Sequence, residues 1–129
     1  MARRAHSRIV NAAADGIVDQ VDAGTGDGSV EFWSGSQPGS LDGSPSGDLL
    51  VTVALDGPAF GDAAAGVAAA LDVPLVASGV ADGTIGFYRV LDGDDVVLWD
   101  SDGVATAPGA GVEVVVNTLV VSTGVEFRV

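Results

Sequence analysis

The sequence predicts a mainly β protein, an antiparallel β-sandwich or barrel of about seven to eight short strands preceded by one N-terminal amphipathic helix. Three observations point there. Val-rich runs alternate apolar and polar positions over short stretches, which is the period of a strand with one face in a core. Glycine, at 19 of 129 residues, interrupts those runs repeatedly, favouring tight turns over long helices. Only one segment, close to the N-terminus, carries apolar residues at helical spacing.

That segment runs from Ser7 to Asp22. Val10, Ala13, Ala14, Ile17, Val18 and Val21 share one face, Asp15, Asp19 and Asp22 lie off it, and Gly24 suits the position just past the helix end. Cations at the start and acids at the end oppose the helix macrodipole, by a few tenths of a kcal/mol for each exposed charge. A docking partner, or chance, would account for the arginines at the start.

A Gly/Thr/Asp linker, Ala23–Ser29, leads into a short strand at Val30-Glu31-Phe32-Trp33, ended by a Gly/Ser/Pro-rich loop from Ser34 to Gly47. Leu49, Val51, Val53 and Leu55 alternate with Leu50, Thr52 and Ala54 in a second strand, which Gly57-Pro58 closes. Ala63–Leu71 has helical composition, but Gly61, Gly66 and the β-rich neighbours favour an irregular strand. Thr84–Leu91 and Val96–Asp100 form a hairpin over the turn Asp92-Gly93-Asp94-Asp95. Val112–Val116 and Leu119–Val129 are expected as a closing pair, with Gly124 a candidate bulge. Within Phe32/Trp33 and Phe87/Tyr88, one ring of each pair must face away from the other, because successive strand residues point to opposite faces.

The expected organisation is a single globular domain, with residues 1–24 a basic tip and helix and residues 25–129 the β-sandwich. Aromatics make up only 5% of the chain, so its core is built from Val, Leu, Ile and Ala around the anchors Phe32, Trp33, Phe60, Phe87, Tyr88, Trp99 and Phe127. Absent cysteine rules out a disulfide framework or a thiolate metal site. The apolar stretch after the basic start is broken by Asp15 and Asp19, so neither a signal peptide nor a membrane span is expected.

Charge is distributed unevenly. Residues 1–8 hold three of the five arginines and no acid, leaving the other 121 residues with two arginines against 18 acids, a charge of −16. Such a body repels phosphate, and no nucleic-acid partner is expected. A short basic arm can instead lie on an acidic protein surface, a neighbouring copy included, or remain solvated.

The chain is poor in groups that do chemistry near neutral pH. His6 is the sole histidine and lies in the basic tip, and there is no lysine. Gly24-Thr25-Gly26-Asp27-Gly28 fits neither a phosphate loop nor a dinucleotide fingerprint, and Gly35-Ser36-Gln37-Pro38-Gly39 is no nucleophile elbow. A carboxylate pair could hydrolyse glycosides, but ten of the 18 acids are Asp beside Gly, where the side chain serves the turn backbone. The expectation is a protein that is not an enzyme and takes no cofactor. Asp92, Asp94, Asp95, Asp100 and Asp102 cluster around one hairpin as calcium candidates, although neither acidic run completes an EF-hand loop.

The order of segments resembles a family of small virion structural proteins of tailed bacteriophages and prophages. The resemblance rests on Asp22-Ala23-Gly24 closing an Ala-rich helix, then Val30-Glu31-Phe32-Trp33-Ser34-Gly35-Ser36-Gln37-Pro38 and Gly47-Asp48-Leu49-Leu50-Val51. Gly57-Pro58-Ala59-Phe60-Gly61, Gly86-Phe87-Tyr88-Arg89-Val90-Leu91-Asp92 and a terminal β pair containing Asn117 complete it. It spans nearly the whole chain, and its motifs are structural rather than chemical. This sequence departs from the family in its acidity and its Arg-rich tip.

The resemblance implies a virion part assembled in the host cytoplasm, with the major capsid protein or other virion proteins as partners; a homo-oligomer is expected, with a trimer only a guess at copy number. A capsid decoration or minor head protein is expected, bound through Arg3, Arg4, Arg8, Val10, Ile17 and Val21. A tail, connector or fibre-associated subunit is one alternative. A carbohydrate-binding β-sandwich module is another, although Trp33, Tyr88 and Trp99 stand in alternating strands where core packing accounts for them.

Overall fold

The computed structural model describes residues 6–65, 67–71, 75–102, 113–116 and 120–122. These form a mainly β fold with one N-terminal helix, as the residue pattern predicts. The elements are α1 (Ser7–Asp19), β1 (Gly28–Ser34), β2 (Leu49–Leu55), β3 (Val67–Ala69), β4 (Leu75–Ser78), β5 (Ile85–Leu91), β6 (Val97–Asp102), β7 (Glu113–Val116) and β8 (Val120–Ser122). All strand pairing is antiparallel. One sheet has the order β2-β1-β5-β6, and two smaller ones pair β3 with β8 and β4 with β7.

His6 caps the helix. Its backbone is extended (φ −63°, ψ 143°) and its Nδ1 accepts from the Arg8 N–H at 3.0 Å, satisfying one of the amide groups that an α-helix leaves open. The histidine expected in a basic tip is therefore part of the helix start. At the other end a 3-10 turn, Gln20–Asp22, tightens the last turn, and the chain leaves through extended Ala23 and left-handed Gly24 (φ 95°).

The acids near the helix end have tertiary work that local electrostatics did not suggest. Asp15 Oδ1 accepts from the Ala63 N–H at 2.7 Å, and Asp22 accepts from the Ala59 N–H at 3.1 Å. Asp27 accepts from the Gly57 N–H at 3.3 Å. Three carboxylates thus bind main-chain donors of the irregular 57–63 segment to the helix and its linker.

The core lies on one face of the large sheet. Val30 pairs with Val53 and Val90, and Phe32 with Val51 and Tyr88, so the alternate residues of three strands form one apolar layer. Ala14, Val18 and Val21 of the helical segment pack on it together with Ala68 and Ala70. Leu50 breaks the alternation, because a register shift pairs Trp33 with Leu49 and leaves Leu50 fully buried. Its main chain is covered as well, with the Val80 N–H donating to its carbonyl at 2.7 Å.

The 5/6 hairpin forms as expected, and the irregular stretch near Ala63–Leu71 contains β3 flanked by the isolated bridges Phe60↔Ala70 and Ala64↔Val67. Among the described residues the expected closing pair does not form. β7 pairs with β4, and β8 pairs with β3. The physical reason is that β3 and β4 each present an open edge, and those longer-range ladders replace a hairpin between chain neighbours. Gly124 and the remainder of that expected pair, residues 112, 119 and 123–129, lie outside the described residues.

Candidate functional site

Two places combine chemistry with a defined shape. The first is a groove of about 340 Å³ between α1 and β6, lined by Ala12, Ala13, Gly16, Ile17, Gln20, Leu98 and Trp99. It follows from the sequence at short range. Small residues on one flank of the helix keep its surface low, while Leu98 and Trp99, only partly buried against the core, stand up from the outer strand. The register puts Trp99 opposite Val90, on the same sheet face that the helix covers. Ile17 is 37% exposed at the groove's edge. Among the described residues no strand lies beyond β6 in its sheet.

The second place is the opposite sheet face. Glu31, Arg89 and Asp100 stand in one row across β1, β5 and β6, and Trp33 pairs with Phe87 beside them. The Trp33 and Phe87 rings are stacked at 6.5 Å and 11°. Phe32 and Tyr88 meet on the other face at 6.1 Å, which is the separation of neighbouring rings that strand geometry required. The Ser34–Gly47 loop lies over the polar row. Gln37 Nε2 donates to Asp100 Oδ1 at 2.6 Å, and Arg89 Nη2 donates to the Gly43 carbonyl. The loop's ends are tied by Ser34 and Asp48, which exchange hydrogen bonds at 2.9 and 2.8 Å.

Arg89 is 7% exposed and is the only basic residue between positions 9 and 127. Its guanidinium lies 5.7 Å from the Phe87 ring centroid. Among the described residues its Nε and the buried Asp100 Oδ2 have no hydrogen-bond partner. The Glu31 carboxylate, opposite Arg89 in register, instead accepts from Trp33 Nε1 at 3.2 Å. The arrangement clamps a glycine-rich loop onto the sheet.

The five calcium candidates do not converge. Asp92 Oδ1 accepts from the Asp94 and Val96 N–H groups at 2.9 and 3.0 Å, closing the hairpin turn. Asp94 Oδ1 accepts from the Thr25 N–H and Oγ1 at 3.1 and 3.0 Å, joining the turn to the linker after the helix. Asp95 occupies the left-handed turn position (φ 63°), and Asp100 sits under the Gln37 loop. Among the described residues no group of three or more acidic, histidine or cysteine side chains could hold a metal. Asp92 and Asp94 are taken up by main-chain donors of the turn and the linker, and Asp100 by the Gln37 amide.

Of the residues expected to bind a partner, Arg8 is exposed, Val10 half-buried and Ile17 exposed, whereas Arg3 and Arg4 lie outside the described residues. Val21 is corrected. It is 0% exposed and belongs to the core, because it continues the inner face of Ala14 and Val18 and packs beneath Gly28, leaving no side-chain surface for a partner. The sequence reading missed Leu98 and Trp99 as groove walls and Arg89 as a loop clamp. A lone arginine in an acidic body was the available signal for the latter. No described helix is long and apolar enough to cross a membrane. Comparison with known protein families, with curated proteins and with solved structures finds no match.

Proposed function

We propose that this chain is a non-catalytic structural subunit of a tailed-phage type of particle, of the capsid-decoration or minor-head kind, held in place by its basic N-terminal arm and α1. The observation that carries the reading is the groove of about 340 Å³ between α1 and β6, an adhesive surface on the same helix that the arm precedes. Small helix residues and a partly buried tryptophan make a surface suited to another polypeptide, since aromatic anchors in water-excluding pockets dominate protein interfaces. The segregation of charge adds to this. An arm of about +3 on a body of −16 favours contact with an acidic protein surface over nucleic acid.

The test is attachment to particles. Full-length chain and a form lacking residues 1–5, which keeps the His6 cap and α1, are supplied during assembly, and occupancy is read from purified particles by quantitative mass spectrometry, with position read by labelling. The full chain should co-purify on heads and the shortened form should be lost. Equal occupancy of both forms would refute attachment by the arm, and absence of both would refute the virion reading. Label confined to tails would replace the head assignment by a tail role.

A further inference from the structure

The groove between α1 and β6 has its long wall in an outer strand, and that combination decides what fits it. A strand at the sheet's edge presents main-chain N–H and C=O groups, and an extended segment laid beside it can pair with them while alternate side chains drop into an adjacent pocket. We infer that the groove receives a second copy of this chain, whose basic N-terminal segment ahead of the His6 cap, residues 1–5, lies extended along β6. This rests on the reading of the arm as the adhesive element, and it names the surface on which the arm lands.

Charge complementarity selects the occupant. The segment Met1-Ala2-Arg3-Arg4-Ala5-His6-Ser7-Arg8 is the only positively charged stretch of the sequence, and every copy's body carries −16. Two bodies brought together without it repel, and an arm laid across the boundary removes part of that repulsion. Size agrees as well. Five extended residues span about 17 Å, which fits within the six-residue strand β6. The chemistry of the pocket fits the same segment. Ala12, Ala13 and Gly16 leave room for small side chains such as Ala2 and Ala5, and the Trp99 indole offers a face to an arginine. Because arm and groove are different surfaces, each copy donates one arm and accepts another. The contact is head-to-tail and closes into a ring if the rotation permits.

The experiment uses the full chain. Sedimentation equilibrium over a range of concentrations at about 50 mM and about 500 mM salt measures association, screened little in the first buffer and strongly in the second. Association should be present in both buffers, because salt screens the repulsion between copies of net charge −13 along with the arm's attraction. It should weaken by at least about tenfold in Arg3→Glu/Arg4→Glu and in Ile17→Asp, which alters an exposed side chain and spares the core. In a Trp33→Phe background, a synthetic peptide of residues 1–8 added in trans should shift Trp99 emission and compete with association. A chain that stays monomeric at every concentration overturns the proposal, whether or not the peptide binds, because an arm folded onto its own groove gives that result. Association unaffected by both variants also overturns it. Failure here with normal particle occupancy leaves the virion reading standing, whereas association without any occupancy leaves the groove proposal standing alone.

Discussion

Replacing Gly86 by alanine tests how closely the loop after β1 approaches β5. A Cβ built on Gly86 would lie 1.7 Å from the Gly35 carbonyl oxygen and 2.9 Å from its carbon. Reaching even 3.0 Å requires a shift of about 1.3 Å, and the obstructing atoms are main chain, so no side chain can rotate away. The loop end has little freedom to yield. Gly35 holds a left-handed turn (φ 84°), and Ser34 is bonded to Asp48 beside it. Overpacking of this kind costs about 1–3 kcal/mol, and a backbone obstacle puts Gly86→Ala near the upper end.

With an unfolding entropy of about 2.1 cal/mol/K per residue, 129 residues give about 0.27 kcal/mol/K, so about 3 kcal/mol lowers Tm by about 11 °C. Differential scanning calorimetry measures it. Gly39→Ala, where an added Cβ meets nothing within 4 Å, is the control and should stay near wild type. Gly16→Ala, equally open but within α1, should gain about 0.5–1 kcal/mol from helix propensity, raising Tm by about 2–4 °C. Melting of Gly86→Ala within a degree of Gly39→Ala would refute the close approach.

Asp22→Ala leaves the part-buried Ala59 N–H without its acceptor and should cost about 1–3 kcal/mol in chemical denaturation; an unchanged midpoint would mean that the contact contributes nothing. Phe87→Ala removes a fully buried ring that stacks on Trp33, so a loss of about 3–5 kcal/mol should accompany a change in Trp33 fluorescence, and a loss under 1 kcal/mol would show that the loop-covered face is not packed as described. Millimolar calcium should leave Tm unchanged, because Asp92 and Asp94 are engaged with backbone donors and the described hairpin aspartates form no ligand group; a saturable rise in Tm would show a site that the turn geometry does not display. Asp94→Ala should detach Thr25 from the hairpin turn at a cost of about 1–2 kcal/mol, with Asp94→Asn, which keeps the Oδ1 acceptor, recovering most of it.

Local patterning made the elements themselves readable. Val30, Phe32, Val51 and Val53 alternate at the period of a strand, and the Asp-Gly turn at 92–95 marks a hairpin by its own side-chain chemistry. The helix likewise shows its inner face as Ala14, Val18 and Val21 at intervals of four and three. Candidate site residues were legible to a lesser degree. Spacing puts Ile17 and Val21 in one partner-facing set, yet Ile17 is exposed and Val21 buried, since helical period groups residues into a face without saying which part of it another element covers.

By itself the sequence determined the mainly β class, the single amphipathic helix, the charge separation between arm and body, and the poverty in groups for acid, base or nucleophilic chemistry, because composition and short-range period carry that information directly. Only the tertiary structure decided that β7 seeks β4 and β8 seeks β3, that the aspartates near the helix end bind the 57–63 backbone, and that Arg89 clamps a loop over the sheet. Those contacts join residues tens of positions apart, and their partners are main-chain groups that every residue possesses. Sequence spacing cannot single them out, and only the closing of the chain in space does.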